Sequence, residues 1–75
     1  MYKLRTNNSD TWQLESSYNG SYLGSLKQVL TFAVISHGFS LMELETAILE
    51  MNQKDHDIAH FGVRKTLIYT EKEEK

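Results

Sequence analysis

The chain has 75 residues and no cysteine, with 40% hydrophobic residues, 24% charged residues and a formal net charge of −2. That is globular composition, which excludes a disordered chain, while the missing cysteines exclude disulfides and thiolate metal sites. So short a chain points to one domain with a thin core, and its slight negative charge excludes global attraction to phosphate backbones or anionic membranes.

Residues 2 to 6 alternate, with Tyr2, Leu4 and Thr6 on one side and Lys3 and Arg5 on the other, the period of a half-buried strand. Asn7-Asn8-Ser9-Asp10 supplies turn chemistry, and Trp12 and Leu14 then alternate with Thr11, Gln13 and Glu15. The first sixteen or so residues therefore read as a hairpin with Tyr2, Leu4, Trp12 and Leu14 on a shared face. Asn19-Gly20 suits the positive φ angles of a type I′ turn, and Tyr22-Leu23 reads as a short third strand.

Ser25 and Gln28 match a capping box, and Leu26, Val29, Leu30, Ala33, Val34 and His37 recur at helical spacing up to Gly38, a left-handed C-terminal cap. Here His37 is expected to offer its imidazole to the last carbonyls of the helix. A second start signal follows. Ser40 and Glu43 can cap reciprocally while Phe39 and Leu44 staple the first turn. The second helix carries Leu41, Leu44, Ile48 and Met51 on one stripe, widened by Met42, Ala47 and Leu49. Polar residues from Asn52 onward end it near Asn52 or Gln53, although the stripe can be extended to Ala59 or His60, with Gly62 beyond.

Val63 to Thr70 is rich in β-formers, with Val63, Leu67 and Tyr69 alternating against Arg64, Thr66, Ile68 and Thr70, and Lys65 breaking the apolar face. It reads as one C-terminal strand beside the first strand, followed by a charged, frayed tail over residues 71–75. The expected fold is thus a small single α+β domain over residues 1–70. An N-terminal hairpin, a short third strand, two amphipathic helices and a final strand complete one antiparallel sheet, in the order ββ(β)ααβ.

The segment Met1-Tyr2-Lys3-Leu4-Arg5 has no apolar signal core, so no export leader is expected, and with no cysteine the expected location is the cytoplasm. No membrane partner is expected. Even the longest apolar stretch, Val29 to Ile35, is far shorter than the roughly 20 residues that span a bilayer.

Four constellations bear on chemistry. His56 and His60 are four residues apart, so a continuing helix would project both imidazoles from one face, with Asp55 and Asp57 as added oxygen donors for a divalent metal. A metalloprotease would also need a glutamate directly after the first histidine, and Asp57 stands there. Ser36 and His37 are adjacent and diverge by about 100° on a helix, which does not support a catalytic dyad. Glu43, Glu45 and Glu50 read as the solvated side of the second helix, and the glycines of Gly20-Ser21-Tyr22-Leu23-Gly24 as turn geometry without a phosphate-loop lysine. Neither an enzyme nor a cofactor is expected.

Two binding readings remain. Lys3 and Arg5 on the first strand with Arg64 and Lys65 on the last would gather cations on the open sheet surface, a nucleic-acid interface, with Glu15 neutralising part of it. Sheet readers of single strands need aromatics on that face, whereas the alternation turns Tyr2, Trp12 and Tyr69 inward. The favoured reading is a small noncatalytic accessory or regulatory protein that binds a protein partner or pairs as a homodimer through Met42, Leu49 and Met51 of the second helix.

Overall fold

The computed structural model describes residues 1–7, 10–18 and 20–73. In chain order the elements are β1 (Tyr2–Thr6), β2 (Trp12–Ser16), β3 (Gly20–Gly24), α1 (Leu26–His37), α2 (Leu41–Gln53), β4 (Ile58–Phe61) and β5 (Leu67–Glu71). The strands form one antiparallel sheet in the order β3-β2-β1-β4-β5, with α1 packed on β2 and β3 and α2 on β4 and β5. The α+β expectation holds, with one strand more than the sequence showed.

The expected hairpin is present, with Leu4 opposite Leu14 and Tyr2 opposite Ser16. Gly20, expected inside a turn, instead opens β3 opposite Ser16 at φ +81°. Asn8, Ser9 and Asn19 of the two expected turns lie outside the described residues.

α1 starts as its sequence dictates: Gln28 N–H donates to Ser25 Oγ (3.3 Å) and Ser25 N–H donates to Gln28 Oε1 (2.9 Å). It ends at Gly38, left-handed at φ +73°, whose N–H donates to the Ala33 carbonyl. His37 does not cap those carbonyls. Its ring packs edge-on against Tyr2 (5.5 Å) and Phe32 (5.2 Å), because burial among aromatics competes with a solvated cap.

α2 has Ser40 at its N-cap, but the reciprocal box with Glu43 is not closed, since no side chain bonds the cap. The helix stops at Gln53 for a reason that the composition conceals. Asp55 takes a left-handed φ of 54°, His56 N–H donates to the Met51 carbonyl (2.8 Å) and Asp55 N–H to the Asn52 carbonyl (3.4 Å), which is the Schellman pattern without its usual glycine.

The segment expected to be one strand over Val63–Thr70 is instead most of a turn followed by β5, the second arm of a hairpin. Ile58–Phe61 forms β4, which takes the place beside β1 that had been assigned to the C-terminal strand, with Tyr2 opposite Phe61 and Leu4 opposite Ala59. Residues 62–66 turn the chain, held by Gly62 N–H to the Thr66 carbonyl (3.0 Å) and Lys65 N–H to the Gly62 carbonyl (2.9 Å), with Lys65 at φ 65°. Val63 is therefore exposed, and a register shift at His60/Phe61 turns Thr70 inward and Tyr69 outward, the reverse of the expected faces. β5 also runs on through Glu71, a residue expected in the tail.

The core lies between the helices and the inner faces of β1, β2 and β4. Leu4, Leu14, Val29, Leu44, Met51 and Phe61 are fully buried, each contributing about 1.5–3 kcal/mol by removal from water. Phe39 joins the aromatic wall edge-on to Tyr2 (5.0 Å) and Phe61 (5.1 Å). Among the described residues no helix is long and apolar enough to cross a membrane.

Candidate functional site

The helical layer leaves apolar side chains in solvent. α1 buries Val29 and Ala33, α2 buries Leu44, Ala47 and Met51, and Leu30, Phe32, Val34 and Ile48 pack at the edge of that core, which leaves the remaining sides of both helices in solvent. Ile35 is 77% exposed, Met42 76%, Leu49 59% and Leu41 51%, values that place four large apolar groups in water on one layer. Leu26, Leu30 and Val34 are half-buried and, with Ile35 and Leu41, line an apolar groove of about 640 Å3 where α1 meets the start of α2.

The structure splits the residues expected to bind a partner. Met42 and Leu49 lie on the free side of α2, but Met51 is 1% exposed and belongs to the core, because it falls on the stripe of Leu44 and Ala47. Ile35 and Leu41 join the surface instead. Leu41 was assigned to the inner stripe and Ile35 to none. That Ile35 is an isoleucine outside the periodic stripe of the first helix was the available signal.

The opposite, open face of the sheet is ionic. Pairing puts Lys3 between Glu15 and His60, and Arg5 between Gln13 and Ile58. Arg5 Nη1 lies 3.2 Å from Glu73 Oε1 and Arg5 Nη2 lies 3.8 Å from Glu15 Oε1, while Arg5 Nε is buried without a hydrogen-bond partner. Arg64 and Lys65 are not on this face. Both sit in the β4–β5 turn, where Lys65 Nζ lies 5.4 Å from the centre of the Tyr2 ring. The four cations expected together are thus divided between two places. Glu15, Glu71 and Glu73 accompany Lys3, Arg5 and Lys72, three carboxylates to three cations, which leaves the face without the excess positive charge that phosphate binding uses.

His56 and His60 are also parted from the geometry expected of them. Because α2 ends at Gln53, His56 lies in the connection and His60 in β4. His56 Nδ1 is 3.2 Å from Thr70 Oγ1, and His60 Nε2 is 2.9 Å from Glu71 Oε1, with the His60 ring stacked on Tyr69 at 4.2 Å. Among the described residues, no group of three or more His, Cys, Asp or Glu side chains is placed to share an ion.

No protein-family model, curated protein or solved structure matches the chain. The functional reading therefore rests on these two surfaces alone. Of the two, the helical layer has apolar groups that gain by being covered, while on the open face the Arg5 guanidinium is already paired to Glu15 and Glu73 and His60 to Glu71.

Proposed function

We propose that the protein is a small noncatalytic accessory or regulatory protein that acts in the cytoplasm by protein–protein contact through its helical layer. One observation carries this reading: Ile35, Leu41, Met42 and Leu49 are each more than half exposed on the same layer, beside an apolar groove. Single exposed apolar residues are ordinary, whereas Ile35 and Leu41 share one apolar groove across the two helices and Met42 and Leu49, seven residues apart, share one side of α2, a concentration that marks a contact surface. Fully burying one such side chain is worth about 1.5–3 kcal/mol, so covering several would drive a specific complex. Met42, unbranched and with three rotatable side-chain bonds, can adapt its shape to a partner that is not itself rigid.

No reaction or cofactor enters this proposal, and nucleic-acid binding through Lys3 and Arg5 has less support, because Arg5 is paired to two glutamates. The experiment is a comparison of partner retention by wild type and by the Met42→Glu/Leu49→Glu variant at matched fold content. Loss of retention in the variant is the expected result; equal retention would reject this surface.

A further inference from the structure

We propose that β3 and the side of α1 above it form a second surface, sharing Ile35 with the partner-binding one, on which the protein pairs with a second copy of itself, strand edge to strand edge and helix against helix. The two edges of the sheet are built differently. β5 carries Glu71, runs into Lys72 and Glu73, and has a register irregularity against β4, all of which discourage further pairing. β3, Gly20-Ser21-Tyr22-Leu23-Gly24, has no charge and no proline, keeps regular register with β2, and has β2 as its one neighbour among the described strands. Such an edge is a template for another strand.

The geometry favours a second copy over an unrelated strand. An antiparallel pair of β3 strands centred on Tyr22 sets Gly20 opposite Gly24 and Ser21 opposite Leu23, with no like charges facing each other. The helical layer shares that centre. Tyr22 stacks on Phe32 with ring centroids 4.2 Å apart, so the middle of α1 lies over the middle of β3 and one two-fold axis serves both layers. α1 packs on both β2 and β3, which puts it about half a strand spacing inside β3, while the axis would lie half a spacing outside. With a spacing of about 4.8 Å the two α1 axes would stand about 9.6 Å apart, within the 8–10 Å of packed helices.

The contact strips also match in length. Five residues of strand extend about 17 Å and twelve of helix about 18 Å. Between β3 and the crest of α1 runs a groove of about 390 Å3 lined by Tyr22, Gln28, Thr31, Phe32 and Ile35, with Lys27 and Ser36 at its rim, which the second copy of α1 would fill, setting Lys27 opposite the second copy's Ser36. In that antiparallel pair Gln28 faces the second copy's Ile35, and Thr31 lies beside the axis. A stable interface takes about 800 Å2 from each partner, roughly a sixth of the 4858 Å2 surface of this chain. A strip about 18 Å long and one strand and one helix deep falls short of that area, so the pairing is weak and concentration-dependent.

Sedimentation equilibrium with amide hydrogen exchange tests this. The mass is expected to rise from monomer toward dimer as concentration approaches about 1 mM, with exchange of Ser21–Gly24 slowing in parallel. Thr31→Glu puts two carboxylates at the axis on an exposed position and replaces a poorer helix former, so it is expected to keep the circular dichroism and weaken pairing at least about tenfold. Met42→Glu/Leu49→Glu is expected to leave pairing unchanged, which separates this surface from the α2 part of the partner-binding one. A monomer at every concentration, or a dimer that survives Thr31→Glu and dissolves with Met42→Glu/Leu49→Glu, would overturn the proposal.

Discussion

Tyr22 of β3 and Phe32 of α1 lie face to face, ring planes 6° from parallel and centroids 4.2 Å apart. Both are half-buried, and the stack fastens an edge strand, with one strand neighbour, to the helix above it. A double-mutant cycle with Tyr22→Leu and Phe32→Leu is expected to give a coupling of about 0.5–1.5 kcal/mol in urea unfolding. Additive effects would mean that β3 is held by its hydrogen bonds to β2 alone.

The two helix starts have the same sequence signature and different structures, which gives a direct comparison. Ser25 makes its cap bond and Ser40 makes none. Ser25→Ala is expected to cost about 1 kcal/mol and Ser40→Ala a few tenths, read as midpoint shifts at constant m-value. Equal losses would show that the second box does close in solution.

Asp55 and Lys65 occupy left-handed backbone where glycine is preferred. Asp55→Gly is expected to stabilise the fold by up to about 1 kcal/mol. Lys65→Gly is expected to gain less, because it also removes the ammonium lying over the Tyr2 ring, a contact worth about 0.5–1 kcal/mol. Thermal unfolding of the two variants measures the order, and a larger gain from Lys65→Gly would mean that the strain it relieves outweighs the lost cation–ring contact.

Methionines 42 and 51 should separate stability from binding. Met51→Ala opens a cavity at a fully buried site and is expected to cost about 2–5 kcal/mol, a large part of the stability of so small a domain. Met42→Ala sits in solvent and should stay within about 0.5 kcal/mol of wild type. Chemical denaturation of both variants decides.

Those left-handed positions also explain which parts of the fold were legible. Ser25, Gln28 and Gly38 mark α1 because its caps use the residues that capping chemistry prefers, and the alternation of Tyr2, Leu4 and Leu14 marks the hairpin because one face is wet. β4 was hidden because Ile58-Ala59-His60-Phe61 does not alternate: Ala59 and Phe61 face the core, while Ile58 and His60 are covered on the open face. Its two boundaries were hidden as well, since Asp55 ends α2 and Lys65 turns the β4–β5 hairpin where a glycine would have announced each break. Once that hairpin is missed, Arg64, Lys65, Val63 and Tyr69 are all assigned to the wrong place. In α2 the spacing separated Leu44 from Glu45 but not Met42 from Met51, because a wide apolar arc does not say which of its flanks meets the sheet.

The most direct test of function is an amide and methyl shift map of isotopically labelled protein titrated with the partner it retains. The perturbed signals are expected to gather on Ile35, Leu41, Met42 and Leu49, with Met51 affected only through its neighbours. Perturbations gathered on Lys3, Arg5 and Tyr69, with the helical layer unmoved, would contradict the account.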